Sequence, residues 1–153
     1  MSEPTALRPT FIPAIIYKNR PAALKWLHDA FGFEVSELLT DADDNIVHAE
    51  MRHADGVIMI NAEWTTWTKS PMSVGGGNTQ RVYVRVERDI DAHCARARQA
   101  GATIVNEPAD QFFGERTYLA VDFEGHHWTF SQTIKDVSVE DMEAASGFKH
   151  KSA

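Results

Sequence analysis

The stretch Tyr17–Val35 reads Y-K-N-R-P-A-A-L-K-W-L-H-D-A-F-G-F-E-V, and the stretch Val86–Ile104 reads V-E-R-D-I-D-A-H-C-A-R-A-R-Q-A-G-A-T-I. Both have the pattern of a strand end, a polar helix cap, an amphipathic helix, a glycine and a new strand. Gly32 and Gly101 are separated by 101 − 32 = 69 positions. This common plan at a fixed offset predicts one supersecondary unit that occurs twice.

The two predicted helices have recognisable ends and apolar faces. Asn19 suits an N-cap, and Pro21 suits the first turn, where a missing N–H costs little. Asp89 suits the N-cap of the second helix. The residues expected to face the core, at helical spacing, are Leu24, Leu27 and Phe31 in the first helix and Ile90, Cys94 and Ala97 in the second.

Short apolar and β-branched runs, separated by turn residues, surround each helix. Asp55-Gly56 is a strong hairpin signal between two of these runs. The sequence therefore predicts an α+β fold of two tandem βαβββ units. The predicted bounds are 11–63 for the first unit, 64–79 for a connector loop, 80–134 for the second unit and 135–153 for a C-terminal tail.

The composition is that of a soluble globular protein, with 43% hydrophobic and 24% charged residues. The net charge of -7 disfavours nucleic acid and anionic membranes as partners. A single cysteine, Cys94, rules out an internal disulfide and fits a reducing compartment. Residues 1–10 lack the apolar core of a secretion signal, and no apolar run approaches the roughly 20 residues of a membrane span. We therefore expect a cytoplasmic protein.

Three motifs carry a family resemblance: F-G-F at 31–33, A-G-A at 100–102 and D-F-E-G-H-H-W-T-F at 122–130. Together with the two βαβββ units, they resemble the vicinal oxygen chelate superfamily, which is the glyoxalase and bleomycin-resistance group, over roughly Phe11–Thr133. The resemblance implies that each unit curls into a half-barrel and that the curved mixed sheets enclose a cleft. It also implies a homodimer, because many members are dimeric.

Metal-dependent members of that family place one His or Glu on each of four strands, which suits a divalent ion with open positions for substrate. In this sequence the corresponding positions are Ile12, Met59, Arg81 and Thr129. None of these side chains is a good ligand for such an ion. The resemblance, applied residue by residue, therefore predicts a site with no metal and no cofactor.

The histidines offer little to replace those ligands. His48 and Glu50 are two apart on a predicted strand and share a face. Neither occupies a family ligand position, so an ordinary polar face is favoured over a metal site. His28 and His93 lie on the predicted helices, where we expect them on the outer surface.

A metal-free cleft with aromatic walls is the expected site. By the period-2 rule Tyr83 shares a face with Arg81, and Asn61 shares one with Met59. The predicted ligand-binding residues are Met59, Asn61, Trp64, Trp67, Arg81, Tyr83, Phe113, Arg116 and Thr129. Such a set suits a flat aromatic ligand or, through a cation, an anionic one.

Several of these side chains also have a structural interpretation. Arg116 suits a bidentate contact with a carboxylate, but a surface salt bridge is the favoured alternative. Each aromatic residue is also a candidate for the core or a subunit interface. Trp128 and Phe130 are expected to face away from Thr129, beneath the helices.

Two classes of function fit the sequence. The first is a metal-free binding protein of the bleomycin-resistance type, with a small molecule as its partner. The second is an enzyme, either a lyase, isomerase or dioxygenase relative with a non-standard site or, as a further possibility, a catalyst that acts without metal through Glu63, His48 or Tyr83. Enzymes of this superfamily use a metal to stabilise an enediolate or to activate oxygen, so the missing ligands favour the binding protein. The sequence assigns no catalytic residue.

Overall fold

Two βαβββ sets and a C-terminal helix make up the fold of residues 8–153, which the computed structural model describes. Helices α1, α2 and α3 comprise Arg20–Phe31, Ile90–Gln99 and Val139–Ser146, and a 3₁₀ turn comprises Pro71–Val74. Strands β1 to β4 comprise Ala14–Tyr17, Glu34–Thr40, Ile46–His53 and Gly56–Ala62. Strands β5 to β8 comprise Val82–Arg85, Thr103–Asp110, Glu115–Val121 and His127–Thr133.

Each set forms one four-stranded mixed sheet, in the order β1-β4-β3-β2 and β5-β8-β7-β6. The first strand of each set runs parallel to the fourth, and the other neighbours are antiparallel. The register also repeats. Ala14 pairs with Met59 and Tyr83 pairs with Thr129, at offsets of 83 − 14 = 69 and 129 − 59 = 70 positions, within one residue of the offset of the two glycines. The predicted α+β duplication is therefore confirmed.

The chain divides between Gly77 and Asn78 into two compact units. We call residues 8–77 the N-terminal unit and residues 78–153 the C-terminal unit. The division falls within the predicted connector. Across residues 8–153, no helix is long and apolar enough to cross a membrane. The predicted lack of a secretion signal concerns residues 1–10, of which 1–7 lie outside the described residues.

Helix α1 begins and ends where its sequence predicts. The Asn19 side chain accepts a hydrogen bond from the Ala22 amide at 3.0 Å. Gly32 ends the helix at φ 76°, a left-handed conformation that glycine adopts without steric cost. The expected apolar stripe is buried, at Leu24, Leu27 and Phe31. Since isolated short helices are marginal in water, this buried face is what keeps α1 folded.

Helix α2 also has its predicted cap and buried face. The Asp89 side chain accepts a hydrogen bond from the Ala92 amide at 3.3 Å. The helix ends at Gln99 with Ala100 as its C-cap, and Gly101, the expected stop, follows at φ 102°. The buried stripe is Ile90, Cys94 and Ala97, as predicted. Burial raises the pKa of the Cys94 thiol, which suits a packing residue rather than a nucleophile.

Strand β6 is longer than the sequence indicates. Pro108 lacks the N–H that a sheet ladder uses, which disfavours a strand there. The strand nevertheless continues to Asp110. It is an edge strand with register shifts on both sides of Asn106, and edges and bulges tolerate proline. The extension brings Ala109 opposite Thr117.

Candidate functional site

The C-terminal unit contains a cavity of about 420 Å³ on its sheet. All four strands of the unit, or the chain beside them, contribute to its walls. The lining residues are Arg81, Tyr83, Asn106, Glu107, Ala109, Gln111, Phe113, Thr117, Tyr118, Leu119 and Thr129. A cavity of this size suits a small organic molecule, since ligand pockets measure roughly 300–1,000 Å³.

Strand pairing arranges the cavity face in rows across the sheet. The Tyr83 row comprises Tyr83, Thr129, Leu119 and Asn106, and the Thr117 row comprises Arg85, Ser131, Thr117 and Ala109. Arg81 lies two residues before Tyr83, ahead of the first row. Phe113 lies in the β6–β7 turn, beyond the second row. Arg81 and Phe113 therefore mark opposite ends of the cavity.

Arg81 brings an unpaired positive charge to the cavity. Within residues 8–153 its guanidinium has neither a hydrogen-bond nor an ion-pair partner. By contrast, Arg85 donates to Thr133 at 2.7 Å. Glu107, the one carboxylate among the lining residues, pairs with Arg98. A free guanidinium among neutral groups attracts an anion, and its planar fork matches a carboxylate.

Tyr83 forms a neutral wall of the cavity. Burial raises the pKa of its phenol, so the group stays protonated at neutral pH. Its hydroxyl donates a hydrogen bond to Glu115 Oε2 at 2.7 Å. A protonated phenol that already donates to a carboxylate suits ligand contact better than the role of a base.

A tight turn holds Phe113 at its end of the cavity. The next residue, Gly114, is buried at φ 89°, and its carbonyl accepts hydrogen bonds from the Ile134 and Lys135 amides at 2.9 and 3.2 Å. A Cβ at Gly114 would lie 2.3 Å from the Lys135 carbonyl oxygen, so only glycine fits. Phe112 packs edge-on against Phe113, with ring centroids 5.2 Å apart.

Four of the predicted ligand-binding residues line this cavity, namely Arg81, Tyr83, Phe113 and Thr129. Met59 and Asn61 lie on β4, in the sheet of the N-terminal unit. Trp64 and Trp67 follow β4, and their rings are 70% and 75% exposed with centroids 5.8 Å apart. These four residues belong to the N-terminal unit, and their ligand role stays a prediction.

Arg116, the ninth predicted residue, is held by two carboxylates. Its Nε donates to Asp91 and its Nη1 donates to Asp110, each at 3.0 Å. Arg116 is not among the residues that line the cavity. The salt bridge that the sequence favours is therefore what the structure shows.

His93 faces the sheet, so the prediction that it lies on the outer surface is wrong. Its Nδ1 shares a hydrogen bond with the Tyr118 hydroxyl, and its ring centroid lies 4.5 Å from that of Phe130. A buried phenol beneath α2 supplies this partner, which helical spacing alone does not reveal. Trp128 and Phe130 are buried as expected, and Trp128 Nε1 donates to Asp122 Oδ2 at 3.0 Å.

Sequence reasoning missed Asn106, Ala109, Thr117 and Leu119 in the cavity. Period-2 alternation assigns Leu119 and Thr117 to one face of β7, but it does not say which residues of β6 and β8 stand beside them. That pairing depends on the register shifts within β6. Apolar and small polar side chains of this kind also carry no motif of their own.

The four positions at which the family places metal ligands do not fit a metal here. Met59 on β4 pairs with Ala14, and Thr129 on β8 pairs with Tyr83, so Met59 and Thr129 occupy equivalent places. Ile12 lies two residues before Ala14, and Arg81 lies two residues before Tyr83. Their side chains offer a thioether, a neutral hydroxyl, an alkyl group and a cation. A divalent ion in this family needs imidazole and carboxylate donors.

Glu37, His48 and Glu50 form a polar cluster on the sheet of the N-terminal unit, with one donor atom of each within 4.8 Å of the others. The buried Glu50 carboxylate accepts hydrogen bonds from Arg8 at 2.8 and 3.1 Å and lies 3.2 Å from His48 Nε2. The Arg8 guanidinium holds the pKa of Glu50 below its ordinary value. Because Arg8 forms an ion pair with Glu50, the buried carboxylate of this cluster is not free to bind a metal.

Glu63, a candidate base, is engaged with the connector. Its carboxylate accepts hydrogen bonds from the Ser73 hydroxyl and, at 3.3 Å, from the Ser70 amide. Chiefly through the Ser73 hydrogen bond, the pKa of Glu63 is lowered. A carboxylate with a lowered pKa is a weaker base, which argues against a catalytic role.

The sequence matches the family model of the Glyoxalase/Bleomycin resistance protein/Dioxygenase superfamily over residues 12–130. An uncharacterized protein of Mycobacterium bovis is 27% identical over 143 residues, which cover 91% of this chain and 93% of the relative. An uncharacterized protein of Mycobacterium tuberculosis H37Rv is also 27% identical, over 91% of this chain and 83% of the relative.

Solved structures show the same fold. TioX from Micromonospora sp. ML1 has a TM-score of 0.65 and is 32% identical, with 80% of this chain and 97% of that chain covered. TnmS3 from Streptomyces sp. CB03234, described as an antibiotic binding protein, has a TM-score of 0.63 and 17% identity, with 84% and 98% covered. At the identity of TnmS3, the likeness shows the fold alone.

Proposed function

Because the chain belongs to the glyoxalase/bleomycin resistance protein/dioxygenase superfamily, we propose that it binds a small aromatic or anionic molecule in the cavity of the C-terminal unit, without a metal. The observation that carries the proposal is Arg81, whose guanidinium has no partner within residues 8–153, in a lining whose one carboxylate, Glu107, is paired with Arg98. Phe113 adds an aromatic surface to the same cavity. The antibiotic-binding description of TnmS3, a neighbour with this fold, also supports small-molecule binding.

The free energies expected from apolar burial and from the Arg81 contact indicate moderate affinity for a small ligand. A two-ring ligand that buries about 200 Å² of apolar surface gains roughly 5 kcal/mol. Arg81 is exposed, so its contact with an anion adds at most about 1 kcal/mol. Their sum sets tens of micromolar as the tightest Kd for such a ligand, because the loss of translational and rotational freedom on association weakens binding further. Stronger binding requires more complete enclosure of the ligand.

The enzyme alternative has less support. The chemistry of its relatives runs through a metal, and the four family positions lack suitable donors. Glu63 is held by Ser73, and Tyr83 is a protonated phenol that donates to Glu115. His48 lies against Glu50, which Arg8 already neutralises. None of these groups has the arrangement of a base beside a free reaction site.

Filling the cavity tests the proposal. Ala109 is an exposed lining residue on β6, and a tryptophan there occupies ligand space without entering the core. Ala109→Trp should weaken the binding of 6-(2-naphthyl)hexanoate at least tenfold by calorimetry, whereas Ala95→Trp, on the exposed side of α2, should leave it unchanged. Equal binding by both variants would place the ligand elsewhere.

The homodimer and the cytoplasmic location, both expected from the sequence, remain proposals. Light scattering of the purified chain tests the first. Twice the chain mass of 17.1 kDa supports a dimer, and 17.1 kDa itself contradicts it.

A further inference from the structure

One end of the cavity carries a single charge without a partner. Of the two charged lining residues, Glu107 is neutralised by Arg98, which lies outside the lining set, whereas Arg81 has no partner within residues 8–153. Tyr83 is a phenol that donates to Glu115, so it adds no charge. A ligand that complements the charge of this cavity therefore carries one negative charge, placed at Arg81.

The other end offers an aromatic contact. Phe113 is 39% exposed, and its orientation is supported by Phe112 on one side and by the constrained Gly114 in the turn. A ring that packs edge-on or offset against Phe113 gains roughly 0.5–1.5 kcal/mol beyond its buried area. Arg81 lies too far along the sheet to contact such a ring directly.

The rows of the sheet set the distance between the two ends. Arg81, Tyr83 and Arg85 follow at two-residue steps, so the Thr117 row lies four residues beyond Arg81. At roughly 3.4 Å per residue this is about 14 Å, and Phe113 lies further on. The middle of the cavity is neutral, with the small or uncharged side chains of Thr129, Thr117, Leu119, Asn106 and Ala109.

We infer that the ligand is an elongated monoanion, with a carboxylate or similar group at Arg81 and an aromatic ring several bonds away at Phe113. The inference rests on the proposed function and narrows its ligand class from aromatic or anionic to an arylalkanoate-like molecule. A compact aromatic acid reaches only one end of the cavity. A dianion leaves a charge unmatched, and a cation is repelled by Arg81.

Three probes test this by calorimetry: 6-(2-naphthyl)hexanoate, its primary amide 6-(2-naphthyl)hexanamide, and 2-naphthoate. The wild-type protein should bind the long acid about fivefold more tightly than its amide and about tenfold more tightly than 2-naphthoate. Arg81→Gln should reduce the preference for the long acid over its amide to about one. Arg88→Gln, which removes an exposed arginine outside the cavity, should keep that preference.

A second variant tests the aromatic end. Phe113→Ala should weaken the long acid about tenfold and 2-naphthoate by less than threefold. The inference is wrong if the wild type and Arg81→Gln prefer the long acid over its amide to the same extent. It is also wrong if Phe113→Ala weakens the binding of both acids equally. In either case the proposal of small-molecule binding is unaffected. If none of the three probes binds the wild-type protein, the proposed function fails with it.

Discussion

Arg81 and Arg116 belong to the same unit but have opposite electrostatic surroundings. Arg116 is held by Asp91 from α2 and by Asp110 from β6, whereas Arg81 has no partner in the described part of the chain. Because a paired guanidinium must lose its partners before it binds an anion, only Arg81 is ready to receive one. Residue type alone makes the two equivalent, and only tertiary placement separates them.

Glu50 makes the stability of the fold depend on pH. The carboxylate is 3% exposed, and its hydrogen bonds from Arg8 lower its pKa below the ordinary value of 4.5. A lowered folded-state pKa gives stability that is present above pH 4.5 and is lost as the pH falls through the folded-state value. We predict that Arg8→Gln lowers the Tm by several degrees at pH 7, and that the difference from wild type shrinks below pH 4.5.

Thermal unfolding of wild type, Arg8→Gln and Arg88→Gln across pH 3 to 8 checks this. Arg88 is exposed, and Arg88→Gln removes the same charge as Arg8→Gln without affecting Glu50. The Tm of Arg88→Gln should therefore match that of the wild type at each pH. A deficit for Arg8→Gln that is constant down to pH 3 would show that Glu50 is not the partner that matters.

The same cluster shows what could be read from the sequence at this scale. The common face of His48 and Glu50 follows from strand periodicity, and the contact between them confirms it. Arg8 could not be found in this way, because 42 residues separate it from Glu50 and it lies in no regular element.

At the scale of elements, the β6–β7 turn is the most constrained connection beside the cavity. Gly114 and Gly76 have nearly the same backbone, at φ 89° and 88°, but a Cβ at Gly76 meets nothing within 4 Å whereas one at Gly114 meets Lys135. Gly76→Ala should therefore cost only the strain of a left-handed alanine, about 1 kcal/mol. Gly114→Ala adds a backbone clash and should cost about 3 kcal/mol or more.

Urea unfolding of the two variants measures the difference. Equal losses of unfolding free energy would mean that the backbone at Lys135 shifts to accommodate the alanine side chain, and that the turn is not fixed by its contact with Lys135.

The helix caps provide a second contrast between elements. Asn19 caps α1, which buries a full apolar stripe, whereas Ser138 caps α3, which has no buried residue. Asn19→Ala should lower the free energy of unfolding by about 1 kcal/mol. Ser138→Ala should change global unfolding by less than about 0.3 kcal/mol, because α3 adds little to the cooperative core. Chemical denaturation of both variants tests this, and a larger effect of Ser138→Ala would contradict the description of α3.

The helices were predictable because their signals are local. For α1 and α2, Asn19 and Asp89 each accept the hydrogen bond that an N-cap requires, within three residues of the chain. Strand β6 was not predictable in full, because its continuation past Pro108 depends on its place at the sheet edge.

At the scale of the molecule, the two units share one order of strands and helices but carry different side chains on their sheets. The offset of 69 positions between Gly32 and Gly101 predicts the duplication, and the paired registers of β1 with β4 and β5 with β8 confirm it. The sequence did not indicate how the side chains on the two sheets would differ. In the N-terminal unit Arg8 forms an ion pair with the buried Glu50, whereas in the C-terminal unit Arg81 lines the cavity and has no partner among residues 8–153.

The location of ligand binding is tested most directly by a two-dimensional ¹H–¹⁵N NMR titration with 6-(2-naphthyl)hexanoate. We expect saturable shifts that cluster in the C-terminal unit, at Arg81, Tyr83, Phe113, Thr117, Leu119 and Thr129. Shifts around Glu50 and Met59 should stay small. Shifts confined to the N-terminal unit, or no saturable shift at millimolar probe, would contradict a metal-free binding site in the C-terminal unit.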